Sequence, residues 1–183
     1  SLLESFLSKS ISQSLKGYEY LNTWNTKTGS QDSNSSLKVS NELTLPLKTI
    51  TASISFIAKI IPVHDVTKVK QYIITQLVQF FIDRIIKSNH FNSQGVYQLT
   101  FEFQFLIREL KLSGFTDFPQ FSKFDEFMKI LRLTHGDIEL ECLEGTSIRQ
   151  FAKRVRFDEF REEYDIRYLK DNDILDVLLR IHV

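Results

Sequence analysis

The sequence predicts an all-α protein built from long helices. Its 183 residues include only 6 glycines and 3 prolines, whereas 42% are hydrophobic and 16 are phenylalanine. The glycine and proline content is about half of the usual share, so there are few residues that break a helix. Apolar residues recur at three- and four-residue spacing, which is the period of one helix face. Two alternating apolar runs joined by an Asn-Gly or Asp-Gly turn, the signal of a β-hairpin, are not present.

The first predicted helix begins at the start of the chain and ends between Gly17 and Leu21. Its apolar stripe consists of Leu3, Phe6, Leu7, Ile11, Leu15 and Tyr18. A polar run rich in serine and asparagine follows at about residues 22–41. Because such a segment has too little apolar surface to pack, we expect a mobile loop there.

Two further helices follow the loop. The first covers residues 43–61, since Pro46 is tolerated in a first turn and Pro62 ends the pattern. Asp65 or Thr67 is the expected cap of the next helix. That helix is apolar on two sides, which are formed by Val66, Val69, Ile73, Leu77, Phe80, Phe81 and Ile85, and by Ile74, Val78, Ile82 and Ile86. A helix that is apolar over most of its circumference is predicted to be central in its bundle.

Residues 96–112 carry two conflicting patterns. Phe101, Phe103 and Phe105 alternate as in a strand. The set Val96, Leu99, Phe103, Leu106, Ile107 and Leu110 instead keeps a helical period. The helical pattern continues for longer than a strand usually runs, so we predict a helix.

The last third of the chain is predicted to form three more helices. Gly114 and Pro119 mark a loop, after which Ser122 and Asp125 have the spacing of a capping box for a helix that ends near Leu131. After a break at residues 135–137, Ser147 and Gln150 would cap a helix carrying Ile148, Phe151, Val155 and Phe160. Residues 169–183 close the chain with a stripe of Ile174, Leu175, Leu178 and Leu179. We expect two helical bundles, residues 1–112 and 113–183.

No catalytic, cofactor-binding or metal-binding set can be assembled from the sequence. The four histidines, His64, His90, His135 and His182, are far apart and none has the spacing of a zinc motif. The single cysteine, Cys142, lies among glutamates that disfavour a thiolate. The six glycines form no phosphate-binding loop. The sequence therefore indicates a protein that is not an enzyme.

The charges argue against binding to nucleic acid. Lys+Arg and Asp+Glu both number 23, whereas a phosphate backbone is usually bound by an excess of basic residues. No apolar run approaches the roughly 20 residues of a membrane span, so any membrane association is expected to be peripheral. One basic cluster contains Arg149, Lys153, Arg154 and Arg156. It could contact anionic lipid or an acidic partner, or it could be a solvated face whose arginines, with Arg161, pair with Asp158, Glu159, Glu162 and Glu163.

Phenylalanines recur every third residue at Phe115, Phe118, Phe121, Phe124 and Phe127, across a proline. Such aromatic density is common in a core, and it could also line a ligand cavity. Because three-residue spacing drifts around a helix, we expect at least one of these rings to be exposed. The candidate protein-contact residues are therefore Phe115, Phe118, Phe121, Arg149, Lys153 and Arg154.

Residues 95–106 form a mixed apolar and polar segment that reads Gly95-Val96-Tyr97-Gln98-Leu99-Thr100-Phe101-Glu102-Phe103-Gln104-Phe105-Leu106. This segment resembles the C-terminal helical domain of the eighty-four-kilodalton subunit of the exocyst complex. Phe6-Leu7 and residues 47–61, with Ile54-Ser55-Phe56-Ile57, are similar to two further helices of that family. The resemblance covers roughly residues 1–130, and subunits of the Golgi-associated and endosome-to-Golgi tethering complexes have the same style of helix.

The resemblance implies an elongated rod of consecutively stacked antiparallel helical bundles. It implies a non-catalytic, cytoplasmic scaffold subunit that tethers secretory vesicles to the plasma membrane before SNARE-mediated fusion. The implied partners are other tethering-complex subunits and, through the assembled complex, small GTPases and SNARE regulators. A helical regulator of a small GTPase, with an arginine such as Arg154 acting at the nucleotide, is the alternative. Because the chain starts at Ser1 without a methionine, we also expect it to be a fragment of a longer protein, and the resemblance implies that it is a C-terminal one.

Overall fold

The computed structural model describes residues 1–21, 24–25, 37–133, 150 and 153–181. Within these ranges the chain is helical, so the prediction of an all-α fold is confirmed. The α-helices are α1 (Leu2–Ser14), α2 (Thr44–Ile57), α3 (Val63–Phe80), α4 (Ser93–Glu109), α5 (Pro119–Leu131), α6 (Phe157–Tyr164) and α7 (Asp171–Leu178). Short 3-10 turns occur at Tyr18–Tyr20, Asn41–Leu43 and Ser113–Phe115. An isolated parallel bridge between Phe91 and Ile181 is the β-type pairing in these ranges.

The first three helices pack side by side. α1 lies against both α2 and α3. The Ser8 hydroxyl donates to Gln76 Oε1 over 3.1 Å, and the Tyr72 hydroxyl donates to the Glu4 carbonyl oxygen over 3.1 Å. Both bonds join residues 68 positions apart, so α1 and α3 run in the same direction. The short connection at residues 58–62 brings α2 back along α3 as a helical hairpin.

The third helix is central, as the sequence predicts. It packs against α1, α2 and α5, and its two apolar sides are both buried at Ile73, Ile74, Leu77 and Val78. The helix continues without a break into a π-helical turn, Phe81–Ile86, in which the backbone N–H of Lys87 donates to the Ile82 carbonyl over 3.0 Å. This wider turn leaves Phe81, Ile82, Ile85 and Ile86 all buried. One helix therefore supplies core contacts along its whole length.

Residues 96–112 are helical rather than extended, as predicted, because most of them belong to α4. Asn92 caps this helix, since its Oδ1 atom accepts from the Gly95 N–H over 2.8 Å. The buried side contains Val96, Leu99, Phe103, Leu106 and Ile107. α5 packs against α3, α4 and α7, and the division of the chain into two bundles at residue 112 stays a prediction.

Two predicted helix starts are wrong. α5 begins at Pro119, not at a capping box formed by Ser122 and Asp125. Proline lacks the N–H that a first turn leaves without a partner, and its fixed φ angle suits that turn, so Pro119 starts α5 earlier than the side-chain signals indicate. α3 begins directly after Pro62, so neither Asp65 nor Thr67 is its cap. Pro62 itself lies before that helix, with an extended ψ angle of 151°.

The C-terminal helices are shorter than predicted. The sequence predicts a single helix that runs through Val155 and Phe160. Three residues of that prediction lie outside the described residues: Ser147, Ile148 and Phe151. The backbone is not helical at Val155 and Arg156, so that single helix is wrong and α6 starts at Phe157. The closing helix covers Asp171–Leu178, with Ile174 and Leu178 buried and Leu179 exposed. The predicted break at residues 135–137 also lies outside the described residues.

A tryptophan from the predicted loop belongs to the core. Most of residues 22–41 lie outside the described ranges, but Trp24 is only 1% exposed, so the expectation that this segment does not pack is wrong at that residue. Its ring contacts Tyr18 at 5.5 Å and Phe91 at 5.9 Å between centroids. Its carbonyl oxygen accepts from the Asn92 N–H over 3.1 Å. This contact places the Trp24 backbone directly against the first turn of α4.

We predict that Gly95→Ala destabilises the protein. A Cβ atom at Gly95 would lie 1.8 Å from the Trp24 carbonyl oxygen, which is backbone and cannot move freely. Overpacking of this kind costs about 1–3 kcal/mol of the free energy of unfolding, which chemical denaturation would measure. Gly114→Ala is the matched control, because a Cβ atom at Gly114 would have no neighbour within 4 Å. Equal stability of the two variants would contradict the close contact.

Candidate protein-contact surfaces

The phenylalanines around Pro119 form one aromatic cluster with the core. Phe118 and Phe121 lie 6.0 Å apart, and Phe121 and Phe124 lie 6.1 Å apart between ring centroids. Phe124 continues the cluster to Phe103 at 4.3 Å, which in turn lies 5.0 Å from Phe81 at the end of α3. The cluster therefore joins α3, α4 and α5 through ring contacts.

The expectation that one of the five rings is exposed is wrong. Phe124 and Phe127 are buried, and Phe115, Phe118 and Phe121 are half-buried against the core. The three half-buried rings do not share one helix: Phe115 ends a 3-10 turn, Phe118 precedes α5 in an extended conformation, and Phe121 lies in its first turn. The change of backbone conformation before Pro119 turns the rings inward, so the helical drift that predicts exposure does not apply.

A groove between α4 and α5 is partly walled by this cluster. It has a volume of about 260 Å³. Its lining combines the apolar side chains of Phe103, Ile107, Phe121, Phe124 and Met128 with the polar side chains of Thr100, Gln104, Ser113, Asp125 and Arg132. Of the candidate contact residues, Phe121 is the one that lines it. A lining of this mixed kind suits contact with another protein segment or a small apolar molecule.

The predicted basic cluster is described only in part. Arg149 lies outside the described residues, whereas Lys153 and Arg154 are exposed. Arg156 pairs with Glu159 at 2.9 Å, as the solvated-face alternative expects. Arg161 does not pair with the glutamates of its own helix: it contacts Asp171 and donates to the Leu169 carbonyl oxygen over 2.5 Å. Its guanidinium group thus links α6 to the start of α7.

Three buried carboxylates were not identified from the sequence. The first is Glu102 of α4, which is fully buried. It accepts from the Tyr18 hydroxyl over 2.6 Å, from the Ser40 backbone N–H over 2.6 Å and from Gln98 Nε2 over 3.0 Å. Burial, with the nearby Glu102 carboxylate, raises the pKa of Tyr18 well above its usual range. Glu102 thus connects α4 to the chain on both sides of residues 22–36.

The second buried carboxylate is Glu126 of α5, which is 5% exposed. It accepts from three successive backbone N–H groups: Arg167 over 2.6 Å, Tyr168 over 2.8 Å and Leu169 over 2.9 Å. These groups belong to the segment between α6 and α7, which has no helical partners for them. A single side chain therefore takes the place of secondary structure in that segment.

The third is Asp173 in the first turn of α7. It accepts from the Lys170 backbone N–H over 3.1 Å and lies 3.2 Å from Lys123 Nζ and 3.7 Å from Lys87 Nζ. Burial alone would raise the pKa of Asp173, but the N–H and the two lysines outweigh it, so the pKa lies below its usual value. The carboxylate thus joins α7 to α5 and to the end of the π-helical turn.

One signal in the sequence could have identified two of these carboxylates. Glu102 lies between Leu99 and Leu106, three and four residues away, and Glu126 lies four residues before Ile130. Both are acids on the apolar stripe of a helix, where a charge must be paired or hydrogen-bonded. The sequence does not reveal their partners, because the donors come from residues as much as 84 positions away.

The described residues show no candidate metal-binding cluster. They contain no group of three His, Cys, Asp or Glu side chains placed to hold a metal ion. His64 contacts Asp65 at 3.4 Å on the surface, while Cys142, His135 and His182 lie outside the described residues. Among the helices that the structure describes, none combines the length and apolar character that crossing a membrane requires.

Comparisons with known proteins identify relatives of this chain. A family model described as the RINT-1/TIP-1 family matches residues 1–181. Protein transport protein TIP20 of Saccharomyces cerevisiae is 29% identical over 178 residues, which are 96% of this chain and 25% of that protein. The chain thus spans about a quarter of the length of this curated relative.

A solved structure has the same fold. It is described as a crystal structure of the SNARE Sec20 bound to the Dsl1 complex subunit Tip20. The match covers 98% of this chain and 31% of that one, with a TM-score of 0.77 and 24% sequence identity. At that identity the likeness shows the fold alone.

The comparisons correct the resemblance to the exocyst. They support the broader class, a subunit of a tethering complex, but not the eighty-four-kilodalton exocyst subunit that residues 95–106 indicated. Exocytosis at the plasma membrane is accordingly not supported. The matched descriptions name no enzyme and no small GTPase.

We predict that Glu126→Gln loosens the segment between α6 and α7. An amide keeps one acceptor oxygen and places an NH₂ group against backbone N–H donors, so part of the carboxylate's hydrogen bonding is lost. The expected loss is about 2–4 kcal/mol of the free energy of unfolding, with faster hydrogen exchange at Arg167, Tyr168 and Leu169. Asp125→Asn, at an exposed position of the same helix, is the control. Unchanged exchange in the Gln variant would exclude this role.

We predict that the stabilisation by Asp173 depends on pH. Because its pKa is lower in the folded state, the ionised form stabilises the fold above the unfolded pKa of about 3.9, and this contribution disappears as pH falls through the folded value. Asp173→Asn should lower the free energy of unfolding by about 1–3 kcal/mol at pH 7, with the difference from wild type shrinking below about pH 4. Denaturation at several pH values measures this. Asp176→Asn, exposed on the same helix, should show no such difference.

Proposed function

Because the chain belongs to the RINT-1/TIP-1 family, we propose that it forms part of a non-catalytic helical scaffold subunit of a vesicle-tethering complex that acts in protein transport. The observation that carries this proposal is the extent of the family match, which spans residues 1–181 of 183. A match of this length includes the core and the surfaces of the chain together. The function of the family is therefore a better guide than any single surface feature.

The finer proposal concerns the complex and its partners. We infer that the protein is a subunit of a Dsl1-type complex and that it binds other subunits and a SNARE. Two observations support this: a relative is described as protein transport protein TIP20, and a structure of the same fold is described as a Dsl1 complex subunit with the SNARE Sec20 bound. The whole protein would tether by contact, and this chain would supply part of the contact surface.

The internal structure suits a scaffold. Buried residues from Leu7 in α1 to Leu178 in α7 form one hydrophobic cluster. Buried carboxylates fix the non-helical segments onto this cluster, so the outer surfaces keep defined positions. A scaffold that connects partners needs such fixed surfaces, since each loose segment would lower the affinity through the entropy lost on binding.

We also propose that some of the contact residues predicted from the sequence bind a partner protein. Lys153 and Arg154 are exposed and can reach an acidic partner. Phe121 can contact a partner through the groove between α4 and α5, whereas Phe115 and Phe118 would contribute only their half-exposed edges. Rim charges usually affect the association rate and the salt dependence more than the final affinity.

Affinity purification of the tagged protein from its own cells tests the complex. We expect subunits of a Dsl1-type complex and a Sec20-type SNARE to co-purify and to be identified by mass spectrometry. Recovery of exocyst subunits instead, or of neither set, would contradict the proposal.

Association kinetics with recombinant partners test the role of the basic residues Lys153 and Arg154. Lys153→Glu with Arg154→Glu should slow association severalfold at low salt, measured by biolayer interferometry. Lys9→Glu with Lys16→Glu, which reverses two exposed charges on α1 and just after it, is the matched control. Equal effects of the two double variants would mean that net charge acts and not this site.

A further inference from the structure

The side of α2 that faces solvent carries a line of apolar residues beside polar ones. Leu45 is 61% exposed and Phe56 is 65% exposed, and Ala52 between them is also exposed. Seven and eleven residues correspond to nearly whole numbers of helical turns, so these three side chains lie within about 20° of one line along the helix. The stripe covers three turns, or about 16 Å. Ile60, in the turn that follows the helix, is also 65% exposed.

This stripe is not needed for the core. α2 already buries Pro46, Ile50 and Ile57 on its opposite side, where it packs against α1 and α3. α6 shows what a solvated helix in this chain looks like, because its exposed positions are Asp158, Glu159, Glu162 and Glu163. The apolar stripe on α2 differs from that acidic face, and folding does not require it.

The charges along the stripe have one sign. Lys48 and Lys59 are exposed, and the sequence has no acidic residue between Glu42 and Asp65. Each lysine follows a stripe residue by three positions, Leu45 and Phe56, so both lie on the same flank. A partner that covers the stripe would meet two ammonium groups along one edge.

We propose that the outer side of α2 docks an α-helix of a partner protein, with an apolar stripe flanked by acidic residues. A straight apolar line of three turns matches one face of a second helix. The small Ala52 at its centre lets a helix backbone approach closely, with Leu45 and Phe56 on either side. Acidic residues on the partner would face Lys48 and Lys59. The identity of the partner, a SNARE or another tethering subunit, rests on the proposed function, but the chemistry of the surface does not.

Synthetic helices test the surface directly. The probes are two helix-stabilised peptides of about five turns, roughly 18 residues, with the same leucine and alanine stripe, one flanked by glutamates and one by lysines. Fluorescence anisotropy with the 183-residue chain should show at least tenfold preference for the acidic peptide. Ala52→Glu with Phe56→Glu should weaken its binding at least tenfold, and Lys48→Glu with Lys59→Glu should remove the preference.

Tyr97→Glu is the matched control, because Tyr97 is 66% exposed on α4. It should leave the affinity unchanged within twofold. All the substituted positions are exposed, so circular dichroism should show the wild-type helix content for each variant. No preference between the peptides, or equal effects of the α2 and α4 variants, would overturn the proposal.

Other occupants give distinct results that would also overturn it. If a second copy of the chain covers the stripe, light scattering should show a dimer that Ala52→Glu with Phe56→Glu disrupts. If lipid covers the stripe, the wild-type chain should bind to vesicles of phosphatidylcholine that contain about one third phosphatidylserine. Ala52→Glu with Phe56→Glu should then abolish this binding.

A binding assay with recombinant partners tests the proposed function separately from the docking surface on α2. A recombinant cytosolic part of a Sec20-type SNARE and recombinant Dsl1-type subunits are assayed against the wild-type chain. If none binds while the acidic peptide binds at α2, the proposed function is wrong and the docking surface remains. If a partner binds equally to wild type and to Ala52→Glu with Phe56→Glu, and the peptide shows no preference, only the docking surface is wrong.

Discussion

Buried carboxylates are the constraint on which the arrangement of this chain depends. Helices bring their own backbone hydrogen bonds, but the segments between them do not, and a buried N–H without a partner is unfavourable. Glu102 accepts from Tyr18 and Ser40, which lie on either side of residues 22–36, and Glu126 accepts from three successive backbone amides before α7. In each case one carboxyl side chain offers several acceptor positions at once. Burial of such a polar group is tolerable because its oxygens accept hydrogen bonds from the surrounding chain.

The central helix makes these connections possible. Because α3 and its π-helical turn are apolar on two sides, they can be covered by α1 and α2 on one part and by α5 on another. Asp173 then joins α7 to Lys87, which directly follows the π-helical turn, and to Lys123 on α5. Hydrophobic burial thus determines which helices meet, whereas the carboxylates determine where the intervening segments lie. The first contribution is large and non-directional, and the second is smaller and specific.

The sequence predicts well which segments form helices with a buried side, but it predicts poorly where the segments between the helices lie. The period of apolar residues correctly predicts α1, α2 and the central α3, and it decides for a helix at residues 96–112 despite the alternating phenylalanines. It misses Trp24, since one large apolar residue in a polar run leaves no period. The capping-box spacing, in turn, places the start of α5 at Ser122 although Pro119 begins it. The partners of Glu126 are 41 to 43 positions away, so no local pattern contains them. The same limit applies to the family: the pattern of residues 95–106 indicated an exocyst subunit, whereas the family model that matches residues 1–181 is that of the RINT-1/TIP-1 family.

The outer surface carries the information that the core does not. A helix that only covers a core needs one apolar side, and the exposed residues of α6 form a dense acidic face. α2 differs from α6, because it exposes an apolar stripe and charges of a single sign, while the groove between α4 and α5 combines apolar residues with Asp125 and Arg132. Single exposed apolar residues are common, whereas aligned or concave apolar surface is more often used for binding. These outer surfaces, and not the core, are therefore the part of the chain in which contacts with other molecules can be tested by substitution.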